Sequence, residues 1–287
     1  MTEYLEKAIL VSIEAGKAIM DIYHSADFGV EMKSDNSPLT LADRASHNII
    51  VKELKSSFPG IPILSEEGSD IPYGERKNWK QFWLVDPLDG TKEFIKKNDE
   101  FTVNIALIEN NVPTLGVIYA PALEGESIEI RIQKSEVRSQ KLEDGNNDQV
   151  ADGSEVKGFD IPSGTLYFAQ NGFGAFMQMK NGNPVRLFVN KDTSNGIIAV
   201  RSRSHASPEE EKVFEQYGVT ETISGGSSIK FCRVADGSAH IYYRYGPTNE
   251  WDVGAGYAIA KIAGATVEGL RFNKENLLNG SFMVKSI

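Results

Sequence analysis

The stretch Trp83-Leu84-Val85-Asp86-Pro87-Leu88-Asp89-Gly90-Thr91-Lys92-Glu93-Phe94 decides how this chain is read. Trp83, Leu84 and Val85 read as a buried strand. Pro87 lacks a backbone N–H, so the ladder is expected to stop there and leave Asp86 and Asp89 on a strand-end turn. Carboxylates held that close on a rigid turn repel each other unless something neutralises them, and a hard divalent cation with oxygen ligands is the usual partner. Gly90 allows close backbone approach, so the amides of Gly90 and Thr91 can face an anion such as phosphate if a helical turn starts there. Asp, Pro and Gly also favour ordinary turns, each for its own reason, so the stretch is not decisive alone.

Two further segments change the weighing. Ile61-Pro62-Ile63-Leu64-Ser65-Glu66-Glu67-Gly68 is another short apolar run ending in paired acids, and Asn249-Glu250-Trp251-Asp252-Val253-Gly254-Ala255-Gly256 sets an aspartate where a small-residue helix begins. With these three segments in this order, the chain resembles the inositol monophosphatase superfamily of magnesium-dependent, lithium-sensitive phosphatases. Within it, the chain is similar to 3'(2'),5'-bisphosphate nucleotidases of the CysQ type. That closer likeness rests on Asp89-Gly90-Thr91-Lys92-Glu93-Phe94, Ser202-Arg203-Ser204-His205 and Gly226-Ser227-Ser228-Ile229-Lys230-Phe231-Cys232. Inositol phosphatases usually continue Asp-Gly-Thr with Thr-Asn.

Metal-assisted phosphate hydrolysis needs oxygen ligands that hold Mg²⁺ on either side of the scissile ester. Glu66, Asp86, Asp89 and Asp252 are the natural ligands, and the resemblance adds the carbonyl of Leu88 and implies two or three ions. Glu67 is expected not to coordinate. The hydroxyl of Thr91 cannot act as a base alone, so it needs a carboxylate partner, and the resemblance nominates Asp43. Thr40-x-x-Asp43 also reads as a capping box opening a helix, and both roles can hold at once. Resemblance points to His205, Ser227, Lys230 and Arg244 for nucleotide recognition, beside Gly90, Thr91 and Asp252; a second phosphate needs cations, which Lys230 and Arg244 supply. The plain alternatives are a solvated helix face for Lys230, a surface base for Arg244 and a loop cap for His205. His24, His47 and His240 lack metal-ligand spacing and read as structural.

The bulk numbers fit such an enzyme. A chain of 287 residues, 40% hydrophobic and 24% charged, can bury a substantial core. A net charge of −10 disfavours a nonspecific nucleic-acid binder while leaving room for a small basic pocket. The first residues lack the pattern of a signal peptide and no apolar run reaches membrane-spanning length, so a cytoplasmic protein is expected, with peripheral contact at the inner membrane face still compatible. Cys232 is the one cysteine and reads as core.

Helical spacing marks residues 3–23 and 41–58, the latter stopped by Pro59-Gly60; Phe101, Val103, Ile105 and Leu107 alternate as a strand, and 115–119 returns as its hairpin partner. Further along, 208–217, 228–235 and 253–263 read as helices and 240–245 as a strand. Residues 124–163 hold ten acids against five bases, half of the net charge of −10, and read as an acidic surface insertion within which 128–137 could form part of a hairpin. The expected division is an N-terminal α+β metal-site domain (1–123), the insertion (124–163) and a C-terminal α/β domain completing the site (164–287). Residue patterns support a mixed α/β fold; the resemblance implies a layered αβαβα sandwich. It also implies a phosphomonoesterase that removes the 3'-phosphate of adenosine 3',5'-bisphosphate to leave AMP, with 3'-phosphoadenylyl sulfate as a second substrate and a place in sulfur assimilation. An inositol or sugar phosphatase with the same metal centre is the enzymatic alternative, and a catalytically silent metabolite-binding regulator is the alternative from another class. The oligomeric state is left open.

Overall fold

Residues 81–109 require cover on two sides. Trp83, Val85, Val103 and Ile105 belong to one buried apolar cluster, whereas Phe82, Leu84, Ala106 and Ile108 belong to another. Successive strand side chains point to opposite faces, so such a sheet is dry only when layers pack on both. The structure, a computed structural model, describes residues 1–25, 28–32, 38–68, 70–123, 156–203 and 207–287.

In chain order, helix α1 (Glu3–Tyr23) precedes a short ladder of β1 (Glu31–Met32) with β2 (Pro38–Leu39), then helix α2 (Leu41–Ser57) and strand β3 (Ile63–Ser65). Next come α3 (Tyr73–Arg76), β4 (Gln81–Asp89), α4 (Thr91–Ile95), β5 (Thr102–Glu109) and β6 (Val112–Ala120). After residue 155 lie β7 (Thr165–Gln170), β8 (Gly174–Met179), β9 (Val185–Arg186), β10 (Ile197–Ser202), α5 (Pro208–Tyr217) and β11 (Val219–Gly225). The chain closes with α6 (Ile229–Ala235), β12 (Ile241–Arg244), β13 (Thr248–Asn249), α7 (Glu250–Ile262), β14 (Thr266–Glu268), β15 (Leu278–Asn279) and β16 (Phe282–Lys285).

Strands β3 to β9 form a seven-stranded sheet in sequence order, antiparallel except for the parallel edge pair β3–β4. Helices α1 and α2 cover one face and α7 the other. Helix α6 packs on α7 and on a five-stranded sheet ordered β11-β10-β12-β16-β14, whose outer side is covered by α5 through Phe214 against Ala199 and Ile241. The layers therefore run helix, sheet, helix, sheet, helix, which is the αβαβα sandwich. The large sheet draws strands from both sides of residues 124–163. Residues 124–155, including the expected 128–137 hairpin, lie outside the described residues. The remaining tail is packed, with Ile161 buried and Gln178 exchanging two hydrogen bonds with the backbone of Phe159.

Local chemistry sets the element ends. Thr40 and Asp43 form the capping box at α2, and the β5–β6 hairpin turns at Asn110 and Asn111, both at positive φ (49° and 63°), as a two-residue turn matched to strand twist demands. The ladder does not stop at Pro87. β4 continues to Asp89 through a bulge: Asp86 faces Asn104 and Asp89 faces Thr102, so three steps on β4 span two on β5. Pro87 falls inside the bulge, where no ladder donor is needed, and its carbonyl accepts from Ser46 Oγ at 2.7 Å. Cys232 is buried in the core, and among the described residues no helix is long and apolar enough to cross a membrane.

Gly116 marks where α7 lies on β6: a Cβ added there would sit 2.4 Å from the Ala255 carbonyl oxygen and 3.0 Å from Ala258 Cβ. Gly116→Ala should push the helix off the sheet, costing roughly 1–3 kcal/mol and lowering Tm by several degrees in thermal unfolding. An unchanged Tm would mean that this contact does not limit the packing.

Candidate metal and phosphate site

Four acids from three elements come within electrostatic reach of one another beside α7. The parallel pairing of β3 with β4 sets Ser65 opposite Val85, so Glu66, first residue of the 3₁₀ turn Glu66–Gly68, emerges beside Asp86. Asp86 and Asp89 flank the β4 bulge. Asp252 occupies the first turn of α7, where its Oδ2 accepts the Asn249 N–H at 2.9 Å, the same device that places Asp43 at α2. A helix N-terminus favours negative charge, so both positions tolerate a carboxylate.

Asp86 and Asp89 are each tethered through a carboxylate oxygen. Asp86 Oδ1 accepts the Leu88 N–H at 3.1 Å, and Asp89 Oδ2 accepts the Ser228 hydroxyl at 2.7 Å. Burial first, then the charges of Glu66, Asp89 and Asp252, push the Asp86 carboxyl well above the usual carboxylate range. Asp252 is raised in the same way by burial, Asp89 and Glu66. Among the described residues no Lys or Arg forms an ion pair with Asp86, Asp89 or Asp252. No three acidic, His or Cys side chains among them converge as a ready-made coordination shell. The fit to a metal therefore rests on charge and donor type: uncompensated buried carboxylates and the nearby Leu88 carbonyl suit a hard dication such as Mg²⁺. Glu67 acts electrostatically on His47, whose ring nitrogen pairs with Ser65 Oγ at 2.9 Å.

Gly90, at φ 88°, starts the helical turn α4, as expected for amides facing an anion. Thr91 Oγ1 lies 3.2 Å from Asp43 Oδ1 and 3.2 Å from the Leu88 carbonyl oxygen, so its one proton chooses between two acceptors. The other carboxylate oxygen of Asp43 accepts Thr40 N–H at 2.7 Å and Thr40 Oγ1 at 2.6 Å. Capping and contact with Thr91 thus coexist in one buried side chain.

A cleft of about 290 Å³ joins this cluster to a cationic wall: Glu66, Asp89, Gly90, Thr91 and Asp252 share it with Ser227, Lys230 and Arg244. Lys230 is not on a solvated helix face; it is 5% exposed, donates to the Ser227 carbonyl at 2.6 Å and lies over the Tyr242 ring. Burial brings its ammonium down to about 8, with Asp89 pulling up and Arg244 pushing down. Arg244 is half-buried, and its Nε is buried without a hydrogen bond among the described residues. His205 lies outside the described residues. His240 is structural, holding Ile198 N–H at 3.0 Å and the Asp192 carbonyl at 2.9 Å.

Three polar residues behind the acids escaped the sequence reading. Asn104 Nδ2 donates to Ser228 Oγ at 2.8 Å, and Thr102 Oγ1 bonds Asn104 Oδ1 at 2.9 Å and Ser227 Oγ at 2.7 Å. Their signal was present: Thr102 and Asn104 are polar at alternate positions of an otherwise apolar strand, facing the bulge.

The profile of the inositol monophosphatase family matches residues 1–286. The 3'(2'),5'-bisphosphate nucleotidase CysQ of Escherichia coli K12 is 38% identical over 288 residues, 98% of each chain. Its counterpart in Salmonella typhimurium LT2 is 40% identical over the same share of this chain and of the relative. The crystal structure of CysQ from Bacteroides thetaiotaomicron superposes with a TM-score of 0.74 at 39% identity, covering 98% of this chain and 96% of that one. The Thermotoga maritima IMPase, 22% identical with a TM-score of 0.70, shares the fold. A match running nearly end to end, over a chain whose three acidic segments fold into one cleft, leaves a single conclusion: this chain belongs to the inositol monophosphatase family.

Proposed function

We infer that this chain is a magnesium-dependent 3'(2'),5'-bisphosphate nucleotidase that converts adenosine 3',5'-bisphosphate to AMP and phosphate. The observation that carries the reading is the composition of one cleft: a carboxylate cluster on one side and buried Lys230 with Arg244 on the other. A substrate with two anionic groups suits both sides. Inositol 1-phosphate would leave the cationic wall facing hydroxyls. Relatives named for the nucleotidase activity, 38% to 40% identical over almost the whole chain, support the same substrate class. The anionic end of 3'-phosphoadenylyl sulfate would meet the same wall.

Glu66, Asp86, Asp89, Asp252 and the Leu88 carbonyl would hold Mg²⁺. Bound there, Mg²⁺ supplies charge neutralisation at the phosphate and lowers the pKa of water. Thr91 orients the attacking water, and Asp43, 3.2 Å from its hydroxyl, is the group basic enough to receive the proton passed through it. The new bond joins the water oxygen to phosphorus, the bond from phosphorus to the 3'-oxygen breaks, that oxygen leaves as the ribose hydroxyl after taking a proton from solvent water, and Asp43 returns its proton to solvent. Gly90 and Thr91 amides orient the cleaved phosphate at the start of α4. Ser227, Lys230 and Arg244 hold the phosphate that stays.

The direct test is the rate of phosphate release from adenosine 3',5'-bisphosphate against inositol 1-phosphate under identical Mg²⁺. The nucleotide should be hydrolysed with the larger kcat/KM; a preference for the inositol ester would restore the sugar-phosphatase alternative. No Mg²⁺-dependent release from any phosphorylated metabolite would favour the silent regulator.

Lys230→Ala should lower kcat/KM for the bisphosphate through KM while sparing 3'-AMP, which lacks the second phosphate. A charge-assisted contact is worth roughly 1.5–3 kcal/mol, or on the order of tenfold to a hundredfold. Because the ammonium is protonated below about 8, kcat/KM for the bisphosphate should also decline as pH rises past that value, more than for 3'-AMP. Parallel losses on both substrates would remove Lys230 from the pocket.

Asp86→Asn should abolish turnover yet leave metal-free stability equal or higher, since the amide keeps the acceptor for Leu88 N–H and drops a repelling charge. Wild-type turnover at ordinary Mg²⁺ would refute the metal assignment.

A further inference from the structure

Asp89 is the acid with the most elaborate support, and the support comes from two buried residues, Asn104 behind the cleft and Ser228 on its wall. Asn104 is 1% exposed and Ser228 is 2% exposed. Ser228 Oγ is 2.7 Å from Asp89 Oδ2 and 2.8 Å from the backbone carbonyl of Asp252, so its one proton has two acceptors in reach, and the shorter contact is to Asp89. Asn104 Nδ2 donates to Ser228 Oγ at 2.8 Å and approaches Asp89 Oδ2 at 3.4 Å. The Asn104 carbonyl oxygen is taken by the Thr102 hydroxyl at 2.9 Å, which fixes which end of the amide faces the acid. All donors near Asp89 thus converge on Oδ2, and no hydrogen bond among the described residues reaches Oδ1.

We propose that Asn104 and Ser228 are positioning residues of the metal site, which occupy Asp89 Oδ2 so that Oδ1 alone is offered to Mg²⁺. The proposal rests on the metal reading given above and deepens it. A carboxylate free to rotate would lose orientation entropy on binding the ion and could swing toward its like-charged neighbours; one held by an uncharged donor on each side of a buried strand cannot. Neutral donors serve here where a Lys or Arg would not, because a cation would neutralise the charge that attracts Mg²⁺. The placement also explains why β5 carries polar side chains at 102 and 104 in a fully buried strand.

Outer hydrogen-bond partners of metal ligands typically set affinity by about 10–100-fold. The test is a Mg²⁺ titration of the full chain without substrate, read as Tm against Mg²⁺ concentration and repeated by calorimetry, for wild type, Ser228→Ala and Asn104→Ser. Ser228→Ala removes one oxygen atom from a packed site, and Asn104→Ser keeps a small polar group in β5, so both should fold. Half-saturating Mg²⁺ should rise on the order of tenfold to a hundredfold in both variants. In turnover assays the Mg²⁺ requirement should shift more than the rate at saturating Mg²⁺. A wild type stabilised by Mg²⁺ alongside variants with unchanged half-saturation would overturn the positioning role alone. A loss of rate at saturating Mg²⁺ with unchanged affinity would overturn it equally. If Mg²⁺ left the wild type itself unaffected, the metal reading would fail and this role would fall with it.

Discussion

Repulsion among Asp86, Asp89, Asp252 and Glu66 is the constraint around which the structure is arranged. Carboxylates in water avoid one another; here the backbone prevents it. The β4 bulge fixes the first two, the parallel β3–β4 pairing brings Glu66 alongside, and the capped first turn of α7 presents the fourth. Burial raises the cost of each charge, and the combined field lifts Asp86 and Asp252 well above the usual carboxylate range. A fold that stores unfavourable charge in this way is stabilised by whatever cation relieves it, so binding and local stability are the same quantity at this site.

The remaining architecture holds that arrangement in place and sets a cationic wall across the cleft from it. Asp43 and Asp252 serve helix caps with one oxygen, so two residues of the proposed site also terminate the helices that carry them. Ser46, one turn along α2 from Asp43, holds the carbonyl of Pro87 and ties the helix to the bulge. On the opposite wall, α6 buries Lys230 against Tyr242, its ammonium donates to the Ser227 carbonyl, and desolvation lowers its pKa to about 8. The middle helical layer thus separates two sheets and connects two halves of one cleft.

What could be read from the sequence followed what is local. Helices α1 and α2 declare themselves through periodicity and caps, and the layered fold followed from the family resemblance carried by three acidic segments. The course of β4 was misread because Pro87 is a strand breaker by its own chemistry, and only pairing with β5 creates the bulge that accommodates it. Strand β11 went unnoticed since it is largely exposed and carries Thr-Glu-Thr on an edge, with no apolar alternation to reveal it. Lys230 could be placed in a pocket or on a solvated face from sequence alone; its burial depends on Tyr242 and β12, which arrive from elsewhere in the chain. The polarity of Asn104 in an apolar strand was legible, but its pairing with Ser228 was not, the two being 124 residues apart and joined only by the fold.

The central claim is that mutual charge repulsion in the acid cluster is what Mg²⁺ relieves. For carboxyls raised on folding, the stabilising contribution is complete below their unfolded pKa of about 4 and is lost as pH rises through the raised value. The measurement is Tm with and without saturating Mg²⁺ from about pH 5 to about pH 9, for wild type and Asp86→Asn. The Tm gain from Mg²⁺ should grow with pH in the wild type and be smaller and flatter in Asp86→Asn. A gain that is independent of pH, or equal in the two proteins, would contradict the account.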